Sequence, residues 1–266
     1  ILYSSARNEY LVTRLKKMMR RTIWALTNQL ACGDFKPDAY EVKFAGGKID
    51  RLDICEEEDK VYVKIIDYKT GSKSFDMTAF YHGIQVQLVV YLNAALAIEK
   101  NRFPGKEIIP AGIFYYQMKD PFVPKEMDEE KLKSAILKEL RLDGLLNEND
   151  EVIAHLDKYM GQSSEVIPAG RKKDGTLNRY SKAIGTEEFH ILQDYAKKLE
   201  EDTKKKINQG EITPNPYEME GKSGCDYCRF RSVCGFDEKL EGYAYRRWKK
   251  LDDGELFEKM KGELES

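Results

Sequence analysis

The sequence predicts an α/β fold in which a mixed central sheet is flanked by helices, and three features predict it. Two segments within residues 46–70 alternate side chains with the period of a strand. A run rich in β-branched and aromatic residues, IIPAGIFYYQM, follows a strongly helical stretch. Long helical patterns open the chain and recur in its second half.

Along residues 4–31, Tyr10, Leu11, Leu15, Met18, Thr22, Ala25 and Leu26 fall near helical spacing, so a long amphipathic helix is expected. Gly33 should end it, since glycine readily takes the left-handed cap conformation. A short strand at 40–45 leads through Gly46 and Gly47 into the two alternating strands, which an acidic turn joins and Gly71 closes. These three strands should be antiparallel. Phe80, Ile84, Gln87, Leu88, Tyr91, Leu92 and Ala95 predict one helix over 75–99, and the next strand covers 108–118. Residues 128–161 read as one or two helices broken around 147–150. Residues 164–184, with KKDGTLNRYSK, read as a loop or hairpin outside the core. A helix over 187–209 turns Phe189, Leu192, Tyr195, Leu199 and Ile207 inward. Gly210 stops it, and the prolines of ITPNPY keep the chain extended. A charged tail of helical propensity closes the sequence, in which no internal repeat stands out.

The bulk numbers exclude some function classes. At 266 residues, 41% hydrophobic and 34% charged, the chain can bury a sizeable core beneath a charged surface. No run has the length of a membrane span and no signal peptide opens the chain, so no membrane partner is expected. The start at Ile1, directly in a helical pattern, is expected of a piece of a longer protein. A net charge of −2 means that nucleic acid would have to be met by local patches. Three exist, at 14–21 (RLKKMMRR), 171–173 and 246–250 (RRWKK), and each alone also reads as a solvated face. Of five cysteines, Cys32 and Cys55 are isolated while Cys225, Cys228 and Cys234 crowd into ten residues. That placement opposes a disulfide framework and favours a reducing, cytoplasmic setting with a metal site.

The candidate chemistry lies in GGKIDRLDICEEEDKVYVKIIDYKT. Alternation puts Asp50 with Leu52 and Ile54 on one face, and Asp53 with Ile49, Arg51 and Cys55 on the other. Val61, Val63, Ile65, Asp67 and Lys69 share a face of the next strand. Charged groups continuing an apolar face cost several kcal/mol unless paired or bound to a metal, roughly, from polar burial. Asp50 and Asp67 could hold a hard cation such as Mg²⁺, and Lys69 could orient or deprotonate an activated water and offset phosphate charge. A strand-end ion pair is the plainer alternative for D-x-K alone. Gln87 and Tyr91, four apart on one helix face, complete a three-part pattern. Cys225-x2-Cys228-x5-Cys234 supplies three of four ligands, and spacing leaves zinc and iron–sulfur equally open.

GGKIDRLD, IIDYKTG and GIQVQLVVYL together resemble the motifs of the RecB-like branch of the PD-(D/E)XK nucleases, a restriction-endonuclease-like fold. More narrowly, nearly the whole chain resembles the C-terminal nuclease domains of the AddB family, one component of bacterial AddAB helicase–nucleases. SSARNEYLVTRLKKMMRRTIWAL, SSEVIPAGRKKDG and GEITPNPY add to that likeness. The resemblance implies Asp50, Asp67 and the carbonyl of Tyr68 as metal ligands. It implies Lys69 as the catalytic lysine, with Gln87 and Tyr91 as the helix pair beside it. Asp53 belongs to the same motif, but alternation favours Asp50. The family's metal-binding histidine stands on an upstream helix, which His82, His155 and His190 do not match. It is expected before Ile1, so that this chain alone binds metal weakly.

For the cysteines the resemblance implies a structural [4Fe–4S] cluster held by Cys225, Cys228, Cys234 and a fourth cysteine also upstream of Ile1. Without it, residues 221–237 are expected to be loose. The implied layout is a nuclease core over 1–220, with an inserted segment near 120–185, and a half-site plus tail over 221–266. The implied activity is Mg²⁺-dependent hydrolysis of the 5′-terminated strand at DNA double-strand breaks, on a single strand delivered by a helicase, beside an AddA-type partner subunit. Two alternatives stand beside it: a CRISPR-associated RecB-like exonuclease, and a catalytically silent DNA-binding or scaffolding module.

Overall fold

The structure is a computed structural model that describes residues 5–123 and 128–265. Its largest element is a mixed sheet of six strands in the order β1-β2-β3-β4-β5-β6. The strands are β1 (Lys36–Phe44), β2 (Gly47–Glu56), β3 (Lys60–Lys69), β4 (Glu107–Gln117), β5 (Asp143–Asn147) and β6 (Ala183–Ile184). As anticipated, β1, β2 and β3 are antiparallel. β3 and β4 run parallel, and the crossover that parallel pairing requires is helical. It contains α2 (Met77–Tyr81) and α3 (Gln87–Arg102), the latter packed on β2, β3 and β4.

α1 (Ala6–Ala31) begins where the Ser5 side chain accepts the Asn8 amide, a cap worth about 1 kcal/mol. Its buried residues are Thr22, Ala25 and Gln29, whereas Tyr10, Leu11 and Leu15 are exposed. The expected apolar face is thus used only in the C-terminal half of the helix, where the sheet and α4 (Glu129–Glu139) supply partners. Gly33 follows, but not as a left-handed cap. It is absent from the positive-φ glycines, and a Cβ there would lie 2.3 Å from the carbonyl oxygen of His155. Close backbone approach is what requires glycine at this position.

Three further expectations are corrected. The helix read over 75–99 is two helices, because residues 82–86 leave the helical path at Gly83, whose φ is +78°. The break at 147–150 contains strand β5, which periodicity missed because its five residues are buried or half-buried and do not alternate. Residues 164–184 are not outside the core. Val166, Ile167 and Ala169 are buried with Phe114, Tyr116 and Leu146 beneath the sheet, and Ser164 holds the loop by accepting the amides of Val166 and Ile167.

The chain forms two compact units. The first contains residues 1–76 and 85–193, and the second residues 77–84 and 194–266, so the boundary expected at 220 lies inside the second unit. In the second unit, α6 (Thr186–Asn208) contributes from residue 194 onward and ends at Gly210, φ +73°. Ile207, read as inward, is exposed. The unit also contains a small sheet of β7 (Tyr217–Met219), β8 (Lys222–Ser223) and β9 (Arg246–Trp248), with α7 (Arg231–Cys234) and α8 (Asp253–Glu265). Tyr81 and Tyr195 stack there and both hydrogen-bond Glu263. Among the described residues no helix is long and apolar enough to cross a membrane.

Candidate active site

The register between β2 and β3 pairs Arg51 with Ile66, and one step further sets Asp50 across from Asp67. Asp50 Oδ2 accepts the backbone amide of Tyr68 at 2.9 Å, which fixes the first carboxylate against the second strand. Asp67 itself is only 3% exposed. Its Oδ2 lies 2.5 Å from the Lys69 ammonium, yet no donor reaches that oxygen with hydrogen-bond geometry. Burial pushes the Asp67 carboxyl above the usual carboxylate range. Lys69 opposes that shift and Asp50 adds to it.

The lysine is held from a second side. Lys69 Nζ donates to Gln87 Oε1 at 3.3 Å, and Gln87 Nε2 donates to the Tyr91 hydroxyl at 2.8 Å. Gln87 opens α3 and Tyr91 follows one turn later, so the helix delivers both to the strand ends as i, i+4 neighbours. Phe44 meets the Tyr91 ring edge-on at 5.6 Å. Asp50, Asp67, Lys69, Gln87 and Tyr91 are therefore gathered at one end of the sheet, all within the first unit. The Tyr68 side chain points to the other face, where its hydroxyl accepts from Arg51 at 3.3 Å.

Asp53 occupies a different environment. It is fully buried on that opposite face, with Arg51 Nε 2.6 Å from Oδ1, Arg51 Nη2 2.7 Å from Oδ2, and Lys64 Nζ 3.1 Å from Oδ2. Every charge of this triad is satisfied within it, so Asp53 has no free lone-pair direction toward Asp67. Two of the histidines are engaged elsewhere and the third is exposed. His155 sits between Asp34 and Glu57, each at 3.1 Å, His82 stacks on Trp248, and His190 is exposed.

Can these residues hold a cation? Asp67 offers a buried oxygen without a hydrogen-bond donor, and Asp50 offers a second carboxylate across the strand pair. That donor set suits a hard ion that keeps several waters. Among the described residues no three His, Cys, Asp or Glu side chains are gathered closely enough to hold one ion as they stand.

Two neighbours of the site, Tyr115 and Lys73, do not stand out in the sequence. Tyr115 pairs with Asp67 across β3 and β4, is fully buried, and has a hydroxyl with no hydrogen-bond partner. The only signal is its place in a strand of β-branched and aromatic residues, which reads equally as core.

Cys225, Cys228 and Cys234 line one cavity of about 410 Å³ in the second unit, together with Arg231 and Tyr245. The Cys228 amide donates back to the Cys225 carbonyl at 3.4 Å, so the C-x2-C segment turns its thiols the same way. Cys55 is buried, and burial pushes its thiol up to about 11. Cys32 donates to the Asn28 carbonyl at 3.2 Å. Neither presents a ready thiolate. Of the basic stretches, Lys17 and Arg21 pair with Asp120, Arg171 with Asp150, and Arg247 with Glu218 and Glu238. Lys16, Lys17, Arg20 and Arg21 also line a groove of about 590 Å³ beside Trp24.

Comparison with known proteins agrees with this geometry. The chain is 41% identical, over its whole length, to the B-type component of the ATP-dependent helicase/deoxyribonuclease of Lachnoclostridium phytofermentans. It is 36% identical over 93% of its length to the corresponding protein of Caldanaerobacter subterraneus, and 35% identical over 99% to that of Clostridium acetobutylicum. It spans about a quarter of the length of these relatives, 24%, 23% and 25% respectively. The PD-(D/E)XK nuclease superfamily matches residues 2–235, and with two strand-end acids and a lysine on one face the chain belongs to that superfamily.

Proposed function

We propose that this chain is the Mg²⁺-dependent deoxyribonuclease module of an AddAB-type helicase–nuclease, hydrolysing phosphodiesters of a 5′-terminated strand during repair of DNA double-strand breaks. The observation that carries the reading is the Asp67 carboxylate, buried, in contact with Lys69, and one register step from Asp50. Asp50 and Asp67, with the Tyr68 carbonyl, would hold the cation. When bound, the cation supplies Lewis-acid polarisation of the phosphate and acidifies a water. Lys69 then orients the attacking water and offers an N–H to the phosphoryl oxygen on which charge develops. Gln87 keeps the ammonium at that place, and Tyr91 keeps Gln87 there. The relatives' names support a partner helicase–nuclease subunit of the AddA type and a cytoplasmic setting. The intact Asp67–Lys69 pair weighs against the silent-module reading.

The cysteine cavity would hold three corners of a [4Fe–4S] cluster, the fourth cysteine coming from outside this chain. Cys228→Ser should then lower the iron content of the assembled protein and leave Asp50 and Asp67 untouched.

The test of the nuclease assignment is cleavage of end-labelled single-stranded DNA with Mg²⁺ or Mn²⁺. Asp67→Ala should lower the rate by at least about 10²–10³, the scale of losing a group that stabilises the transition state. Equal cleavage by variant and parent would overturn the assignment.

A further inference from the structure

Four residues after Lys69, Lys73 lies in the segment that leaves β3. Its ammonium stands 5.1 Å from the centre of the Tyr115 ring, and the Lys69 ammonium stands 5.6 Å from the same centre. Two cations therefore share one aromatic platform, and that platform is the register partner of Asp67. Lys73 is near enough to act electrostatically on both Lys69 and Asp67, but no carboxylate among the described residues forms an ion pair with it.

An exposed lysine avoids a like charge by turning into solvent. Lys73 is half-buried and its backbone is pinned. Gln117 Nε2 donates to the Lys73 carbonyl at 2.9 Å, Lys182 Nζ donates to the Ser74 hydroxyl at 3.0 Å, and Phe75 is buried. The fold thus holds a second ammonium beside the first at a cost in repulsion, without giving it an anion. Packing of its methylenes on Tyr115 explains the contact but not the paired charges.

We propose that Lys73 is a second phosphate-binding residue of the nuclease site, contacting a DNA phosphate adjacent to the scissile one. This rests on the nuclease reading above. Asp50 and Asp67 balance Lys69 and Lys73 charge for charge, so a divalent cation at the carboxylates leaves the site net positive. That is the sign needed to receive a phosphodiester, whose transition state carries additional negative charge. Tyr115 has a further part. Burial, with the Asp67 charge next, pushes its phenol well above the usual range, so the hydroxyl stays a donor and the ring a fixed support for both lysines.

The test uses binding as well as cleavage. Fluorescence anisotropy of a labelled single-stranded oligonucleotide, with Ca²⁺ replacing Mg²⁺ to block turnover, should show binding weakened about tenfold by Lys73→Gln, as for loss of one charge-assisted hydrogen bond. The slope of log K against log salt should fall by about 0.7, the contribution of one phosphate contact on a single strand. Lys73→Met keeps the apolar stem over Tyr115 and should show the same loss with unchanged thermal stability, while Lys73→Arg should restore most of the binding. Oligonucleotides carrying one neutral methylphosphonate locate the contact. At one position the parent should lose affinity and Lys73→Gln should lose nothing further. Unchanged affinity and salt slope in both neutral variants would overturn the proposal, as would equal sensitivity of parent and variant at every methylphosphonate position. A parent protein that binds and cleaves no DNA would overturn the nuclease reading itself, which separates the two failures.

Discussion

The carboxylate of Asp50 accepts the amide of Tyr68 at 2.9 Å, and Tyr68 is the residue between Asp67 and Lys69. One hydrogen bond therefore ties the first acid to the peptide that links the second acid to the lysine. Asp50→Asn retains an acceptor oxygen for that amide and should keep the thermal midpoint of the parent. Its cleavage rate should nonetheless fall by about 10²-fold or more, since a neutral amide is a poor ligand for a hard cation. Differential scanning fluorimetry alongside a cleavage assay checks both halves.

The neighbouring acid of the same motif should behave in the opposite way. Asp53→Ala leaves Arg51 and Lys64 buried without their counter-charge, and breaking such a group costs about 3–5 kcal/mol. The expected outcome is a large drop in denaturation midpoint, or failure to fold, read by urea titration. A folded, stable and inactive Asp53→Ala protein would instead assign Asp53 to the site.

Asp67 gives a pH signature. Burial raises its folded carboxyl above the unfolded value, so the folded state keeps the proton to higher pH than the unfolded chain. That contribution to stability is present at low pH and is lost as pH rises through the raised value. In the presence of a chelator, Asp67→Asn should therefore gain on the parent in thermal midpoint as pH rises above about 4, the ordinary aspartate range. Mg²⁺ or Mn²⁺ should raise the midpoint of the parent and leave that of the variant unmoved.

Gln87 reaches the site only through Lys69. Removing an outer-shell partner that orients an active group typically costs about 10–100-fold, and Gln87→Ala should fall in that range. Tyr91→Phe, which removes only the hydroxyl that receives from Gln87, should cost less than Gln87→Ala in the same cleavage assay.

Much of the site was legible because it is local. Asp50, Asp67 and Lys69 fall on one face by period two, and Gln87 and Tyr91 on one helix face by period 3.6, before any long-range contact is known. Period two also separated Asp50 from Asp53, and the structure finds Asp53 locked to Arg51 and Lys64 on the other face. The short strand β5 and the buried loop around Ile167 were not legible. Their residues are apolar without a period, and only their partners in the sheet and core distinguish a strand or a packed loop from a broken helix.

The sequence by itself determined the mixed α/β class, the order of the main strands and helices, the set of acids and the lysine, and the cysteine spacing. Tertiary structure decided what pattern could not reach. It set β3 and β4 in the register that puts Tyr115 beside Asp67, brought Lys73 to the ring that also supports Lys69, and required glycine at 33 through a carbonyl more than a hundred residues away. Alternation fixes the face on which a side chain stands. Only the packing of strands distant in sequence fixes which neighbour it meets there, because that choice depends on the energy of the whole sheet and core.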